Sequence, residues 1–214
     1  MGQLKNTVEL LGYYGSDEVI CCSAWTSTSR KLTDEKRARI PKMINMLWSE
    51  GHETPFEKGV VHFLVNVDQA SHIHLLKHRI SSFNGESARY KELKEDKYYI
   101  PSDWPEDLQE QLADYTKVGN NLYHDAIATL EPLLGRKRAK ESARFFKTYN
   151  SQIQADIMFN MRSFANFQKL RNSEHAQVEI KHIAEQMLAL IVNLEGNPFE
   201  HTIAAWTNSG LFDN

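Results

Sequence analysis

The chain has 214 residues, 41% of them apolar and 10% aromatic, enough to bury one sizeable core and short of two ordinary domains. Its 25 Lys and Arg stand against 28 Asp and Glu, a net charge of -3, so no overall positive field draws in nucleic acid and any polyanion affinity must be local. The adjacent Cys21 and Cys22 found no disulfide scaffold, the first residues lack a signal peptide's basic start and apolar run, and no window approaches the ~18 apolar residues of a membrane span. The expected compartment is therefore a reducing cytoplasm, that of the host if the chain is viral, with no membrane and no nucleic acid as partner.

No repeat, low-complexity stretch or long linker interrupts the sequence, which predicts one domain over 1–214. The short apolar run 19–24 suits a strand, and 34–51 predicts a helix, with Ile40, Met43, Ile44 and Leu47 at helical spacing and Gly51 as its stop. Val61, Phe63, Val65 and Val67 alternate with His62, Leu64 and Asn66, the period of two of a strand with one buried row. A helix is expected over 69–80, and then 81–90, with Asn84, Gly85 and its serines, has the composition of an ordered loop. Leu108, Leu112, Tyr115, Leu122, Ala126 and Leu130 mark a long amphipathic helix ending near Gly135. Helices over 140–146, 160–169 and 176–192 follow. The sum is an α+β fold, a mostly antiparallel central sheet flanked by helices, with a helix-rich C-terminal half.

The densest polar run is 77–90, which packs Lys77, His78, Arg79, Glu86, Ser87, Arg89 and Tyr90 around turn residues. Cationic forks, hydroxyls and backbone donors at a helix end and the loop after it are what a phosphate requires. Physical chemistry alone reaches an anion site here, against the plain alternative of a solvated charged turn. A second series, Asn160, Arg162, Asn166, Arg171 and His175, places Arg162 and Asn166 on one helical face. Arg144 adds a cation among Ala143, Phe145 and Phe146. His74 and His78 stand at i,i+4 with His72 nearby, but no third ligand is in register, so no metal site is expected.

These blocks resemble the flavin-dependent thymidylate synthases over about 51–201. The family signature, Arg-His-Arg and then a serine after seven residues, is matched by Lys77-His78-Arg79 followed by Ser87, with Arg89-Tyr90 in place. Gly51-His52-Glu53-Thr54-Pro55-Phe56-Glu57, Glu141-Ser142-Ala143-Arg144, and the run from Asn160 to Gln177 agree with three further family blocks. The resemblance implies that Thr54, Lys77, His78, Arg79, Asn160, Arg162, Asn166 and His175 contact FAD. It implies that His52 lies near the folate, and that His74, Glu86, Ser87, Ala88, Arg89, Arg144 and Arg171 hold dUMP, with Arg171 facing the uracil as the catalytic residue. Lys77 stands where the family has an arginine, His74 where a glutamine is common, and Gly85 where many members carry a glutamate.

The implied reaction converts dUMP to dTMP, with methylenetetrahydrofolate as carbon donor and NADPH-reduced FAD as hydride source, in a homotetramer with shared active sites. An arginine suits the uracil because a fixed cation beside N3 and its carbonyl stabilises the anionic ring that makes C5 nucleophilic. The alternatives are a dUMP hydroxymethylase on the same scaffold and a non-catalytic nucleotide- or RNA-binding protein.

Overall fold

The computed structural model describes residues 5–213. Four strands, β1 (Thr7–Tyr14), β2 (Val60–Asp68), β3 (Ser82–Gly85) and β4 (Gln152–Asn160), form one antiparallel sheet in the order β1-β2-β4-β3. The helices are α1 (Asp17–Trp25), α2 (Asp34–Ala38), α3 (Ile40–Ser49), α4 (Gln69–Leu76), α5 (Glu106–Leu134), α6 (Arg136–Ala143), α7 (Met161–Arg171), α8 (Val178–Val192) and α9 (Glu200–Asn208), with 3-10 turns at Thr54–Lys58 and Arg144–Phe146. The α+β class and the helix-rich C-terminal half are as the sequence predicts. Among the described residues no helix is long and apolar enough to cross a membrane.

The strand expected at 19–24 is instead the body of α1. Ser16 caps it by accepting a hydrogen bond from the Val19 N–H, Asp17 and Glu18 complement the positive helix end, and the buried residues 17, 20, 21 and 25 follow a helical period. The helix expected over 34–51 is two helices. Their junction is Arg39, and Pro41, which has no N–H to give to a helix continuing from α2, sits in the first turn of α3. Gly51 does end that stretch, at φ 71°.

Helix α4 stops at Leu76, four residues short of the expected end, so His78 and Arg79 lie on irregular chain beyond it; within the expected loop, residues 82–85 pair as β3. Strands β1 and β4 and helix α9 are additions to the sequence reading. In β4, buried Ala155, Ile157 and Phe159 alternate with less buried neighbours.

The residues fall into two compact units. One comprises residues 5–7, Val65–Lys77 and Asn84–Ala155, and the other Val8–Leu64, His78–Phe83 and residues 156–213. The second has an aromatic core: Phe164 packs with Phe63, Phe159 and Trp206, Phe159 lies 5.2 Å from Phe167, and Trp48 bridges Trp206 and Phe56. This core seats α7 by its Phe164 and Phe167 face. Gly59 allows the start of α7 to approach, since a Cβ there would lie 2.7 Å from Met161 Cγ, and the Met161 N–H donates to Gly59 O.

In the first unit, Tyr123, Ile127 and Ala143 form an apolar cluster against Leu93 and Ala126. Beside it Lys147, its side chain only 3% exposed, donates to Asp96 at 2.7 Å and Asn120 at 2.8 Å and lies over the Tyr123 ring. Burial lowers the Lys147 amine below the ordinary lysine value, and the ion pair with Asp96 opposes that shift. Replacing one member leaves the other charged in a dry place. Lys147→Met is expected to cost about 3 kcal/mol, and the double variant with Asp96→Asn to cost less than Lys147→Met alone. Denaturant unfolding checks this, and a double variant as unstable as the two single losses added together would contradict it.

Candidate active site

Helix α7 carries one part of the candidate site. Its N-cap is Asn160, whose side-chain oxygen accepts from the Ser163 N–H at 2.8 Å, so this residue has a structural task besides the one its resemblance implies. One turn in, Arg162 donates from Nε to Glu53 and from Nη1 to Glu57, both at 2.8 Å. The two carboxylates raise the Arg162 guanidinium above its usual value, Glu57 first. The 51–57 block and the α7 block, separate in sequence, are thereby joined. Glu53 and Glu57 were given no role in the sequence reading, although their spacing of four within a matched block was the available signal.

At the other end of α7, Phe167 and Arg171 are one turn apart and meet the signature segment. Arg171 Nε lies 3.0 Å from His78 Nε2 across 93 residues of sequence. His78 is 9% exposed and its ring stands edge-on to Phe167, with centroids 4.9 Å apart. Ser81 Oγ donates to the His78 carbonyl at 2.6 Å, which fixes the backbone beneath the imidazole. Phe167 is fully buried, so its position is set by the aromatic core. The structure thus brings together two residues, His78 and Arg171, that the sequence assigned to different ligands.

The loop after β3 belongs to the other unit. Glu86 is anchored by its N–H to Gln154 O at 2.8 Å and by Lys91 at 2.7 Å. Ser87 accepts from the Tyr90 and Lys91 N–H groups through its carbonyl, and from the Arg89 N–H through Oγ, which makes it the pivot of a turn containing Ala88. Arg89 donates from Nε to Glu141 at 2.8 Å, and this bond raises its guanidinium above the usual value. Glu141, part of a matched block but given no role there, is therefore the partner of an arginine that the resemblance places at dUMP. Arg144 is exposed and takes no part in that pair, and His74 is half-buried on α4.

Among the described residues, no hydrogen bond or ion pair engages the side chains of His52, Thr54, Lys77, Arg79, Asn166 or His175, all of them exposed. Nor does any group of three metal-ligating side chains occur there. Burial lowers His72 below the usual histidine value.

Of the two thiols, Cys21 offers no nucleophile. Cys21 is fully buried on α1, and burial, with Asp17 nearby, pushes it up to about 12.

The model of the thymidylate synthase complementing protein family matches residues 9–194. The flavin-dependent thymidylate synthase of Pseudothermotoga lettingae is 34% identical over 184 residues, covering 84% of this chain and 82% of that one. That of Thermosipho africanus is 32% identical over 192 residues, covering 84% and 83%. Among solved structures, the UMP/dUMP methylase PolB from Streptomyces cacaoi bound with 5-Br UMP superposes with a TM-score of 0.79 at 24% identity, covering 98% of this chain and 96% of that one, a likeness of fold.

The thiol assignment is open to a simple check. In the native protein near pH 8, iodoacetamide is expected to modify Cys22 well ahead of Cys21, as read by peptide mass; labelling of Cys21 at a comparable rate would contradict it.

Proposed function

The chain belongs to the thymidylate synthase complementing protein family, and from that premise we propose that it is a flavin-dependent thymidylate synthase converting dUMP to dTMP. Methylenetetrahydrofolate is the proposed carbon donor and NADPH the reductant. The observation that carries the reading is the 3.0 Å bond from Arg171 to His78, which ties the proposed uracil-activating cation to the flavin signature segment.

FAD, when bound and reduced, supplies the hydride that completes the methyl group. The unit that holds α7 offers donors that suit a diphosphate and flavin carbonyls: Arg79, Asn166 and His175 are exposed and uncommitted, and Arg162 is braced by carboxylates on Nε and Nη1 only. Thr54, Lys77, His78 and Asn160 complete the proposed flavin contacts, and His52 the folate contact. Arg171 is proposed to hold positive charge beside uracil N3 and its carbonyl, favouring electron density at C5. Arg89 and Arg144 are the proposed phosphate ligands, with His74, Glu86, Ser87 and Ala88 as further nucleotide contacts.

Cys21 does not suit a cysteine adduct at uracil C6, the other route to an activated ring, since its thiol is buried and its thiolate strongly disfavoured. We extend the proposal to a single functional domain over 1–214, to a homotetramer and to a cytoplasmic location. Tyr115, Val118 and Leu122, exposed at helical spacing along α5, support the assembly.

The test is incubation of the purified protein with FAD, NADPH, methylenetetrahydrofolate and dUMP. The expected result is a flavin spectrum bleached by NADPH and a product heavier than dUMP by one methylene. A hydroxymethylated product, or protein that stays colourless with FAD, would overturn the reading. Arg171→Ala is expected to lower turnover on the order of 10²-fold with flavin occupancy nearly unchanged; equal loss of both would contradict its role.

A further inference from the structure

Three arginines of the matched blocks are held by hydrogen bonds, and one is held differently. Arg162 is bound to Glu53 and Glu57, and Arg89 to Glu141, so carboxylates compensate their charges. Among the described residues no carboxylate pairs with Arg171; its hydrogen-bonded partner is the imidazole of His78. A guanidinium has five N–H donors and no acceptor, and it does not lose its proton in proteins. The 3.0 Å contact therefore requires a lone pair on His78 Nε2, which makes His78 neutral with its proton on Nδ1.

From this we propose, resting on the functional reading above, that His78 is a positioning residue for Arg171: a neutral acceptor that fixes the guanidinium through Nε without compensating its charge. A carboxylate in the same place would orient the arginine equally well and cancel much of the field that the uracil is to feel. A neutral acceptor orients and leaves the charge intact. The hydrogen bond takes Nε, so both terminal amino groups of the fork remain for the pyrimidine. A long flexible side chain held in one rotamer before the substrate arrives also loses less entropy on binding and needs less reorganisation in the transition state.

The imidazole is itself well held for this purpose. Phe167 meets it edge-on, His78 is 9% exposed, and Ser81 anchors its backbone carbonyl. Phe167 and Arg171 leave the same face of α7 one turn apart, so the helix that presents the arginine also seats the ring that orients it.

The test compares His78→Gln, which keeps a neutral acceptor near the Nε2 position, with His78→Leu, which removes it, alone and combined with Arg171→Ala. In flavin-saturated protein, calorimetric dUMP affinity is expected to fall about tenfold for His78→Leu, to stay within about threefold for His78→Gln, and to be no lower for the double variant than for Arg171→Ala. Nitrogen NMR of the histidine-labelled, flavin-free wild type should show His78 Nε2 unprotonated and hydrogen-bonded, with a resonance that moves in Arg171→Ala. Additive losses in the double variant, a protonated Nε2, or a His78 resonance that ignores Arg171→Ala would each overturn the proposal. Wild-type protein that binds no dUMP would overturn the functional reading and this proposal together, whereas wild-type binding with additive losses would overturn the positioning role alone.

Discussion

The candidate site depends on how one positive charge is held. An arginine side chain is long and flexible, and water screens it unless the protein fixes it and limits solvent around it. In this chain Arg171 is fixed by an imidazole that takes one N–H and carries no opposing charge. The contrast with Arg89, paired with Glu141, and Arg162, paired with Glu53 and Glu57, separates the arginine proposed to polarise the uracil from arginines whose charge a carboxylate meets. Arg162 retains an unengaged terminal amino group and is half-exposed, so bracing does not remove it from ligand binding; it sets where the group stands.

That arrangement reaches back to packing. Phe164 and Phe167 place α7 in a core of rings that includes Phe63, Phe159 and Trp206. Asn160 caps the helix start, and the small size of Gly59 lets that start approach. The early stop of α4 matters as much. Had it run to residue 80, as its composition suggested, His78 and Arg79 would be wound onto a helical face. Lys77 instead closes the last turn through its N–H to His74 O, and the non-helical chain beyond carries the imidazole that meets Arg171.

The legibility of the sequence varied with the kind of signal. Strand β2 was plain because Val61, Phe63, Val65 and Val67 alternate without exception, and α5 because its apolar spacing runs for many turns before Gly135. The run 19–24 misled because a short, mostly apolar run fits a strand or a buried helix equally, and the deciding features, the Ser16 cap and the acid pair after it, lie outside the run. Strand β4 escaped because Gln152, buried at its start, hides the alternation that Ala155, Ile157 and Phe159 then show. In the site, the residue types and blocks were visible, but their pairings were not. Glu53 with Arg162, Glu141 with Arg89 and His78 with Arg171 are contacts across long stretches of chain, and no local period encodes them. The tautomer of His78 in particular follows only from what stands opposite its Nε2.

The most direct measurement of the central claim is a crystal structure of the protein loaded with FAD and 5-bromo-dUMP. The account predicts Arg171 Nε still hydrogen-bonded to His78 Nε2, the terminal amino groups of that guanidinium directed at uracil N3 and its carbonyl, and no carboxylate on the arginine. A loaded structure in which Arg171 has turned away from His78, or pairs with a glutamate while another group meets the uracil, would contradict it.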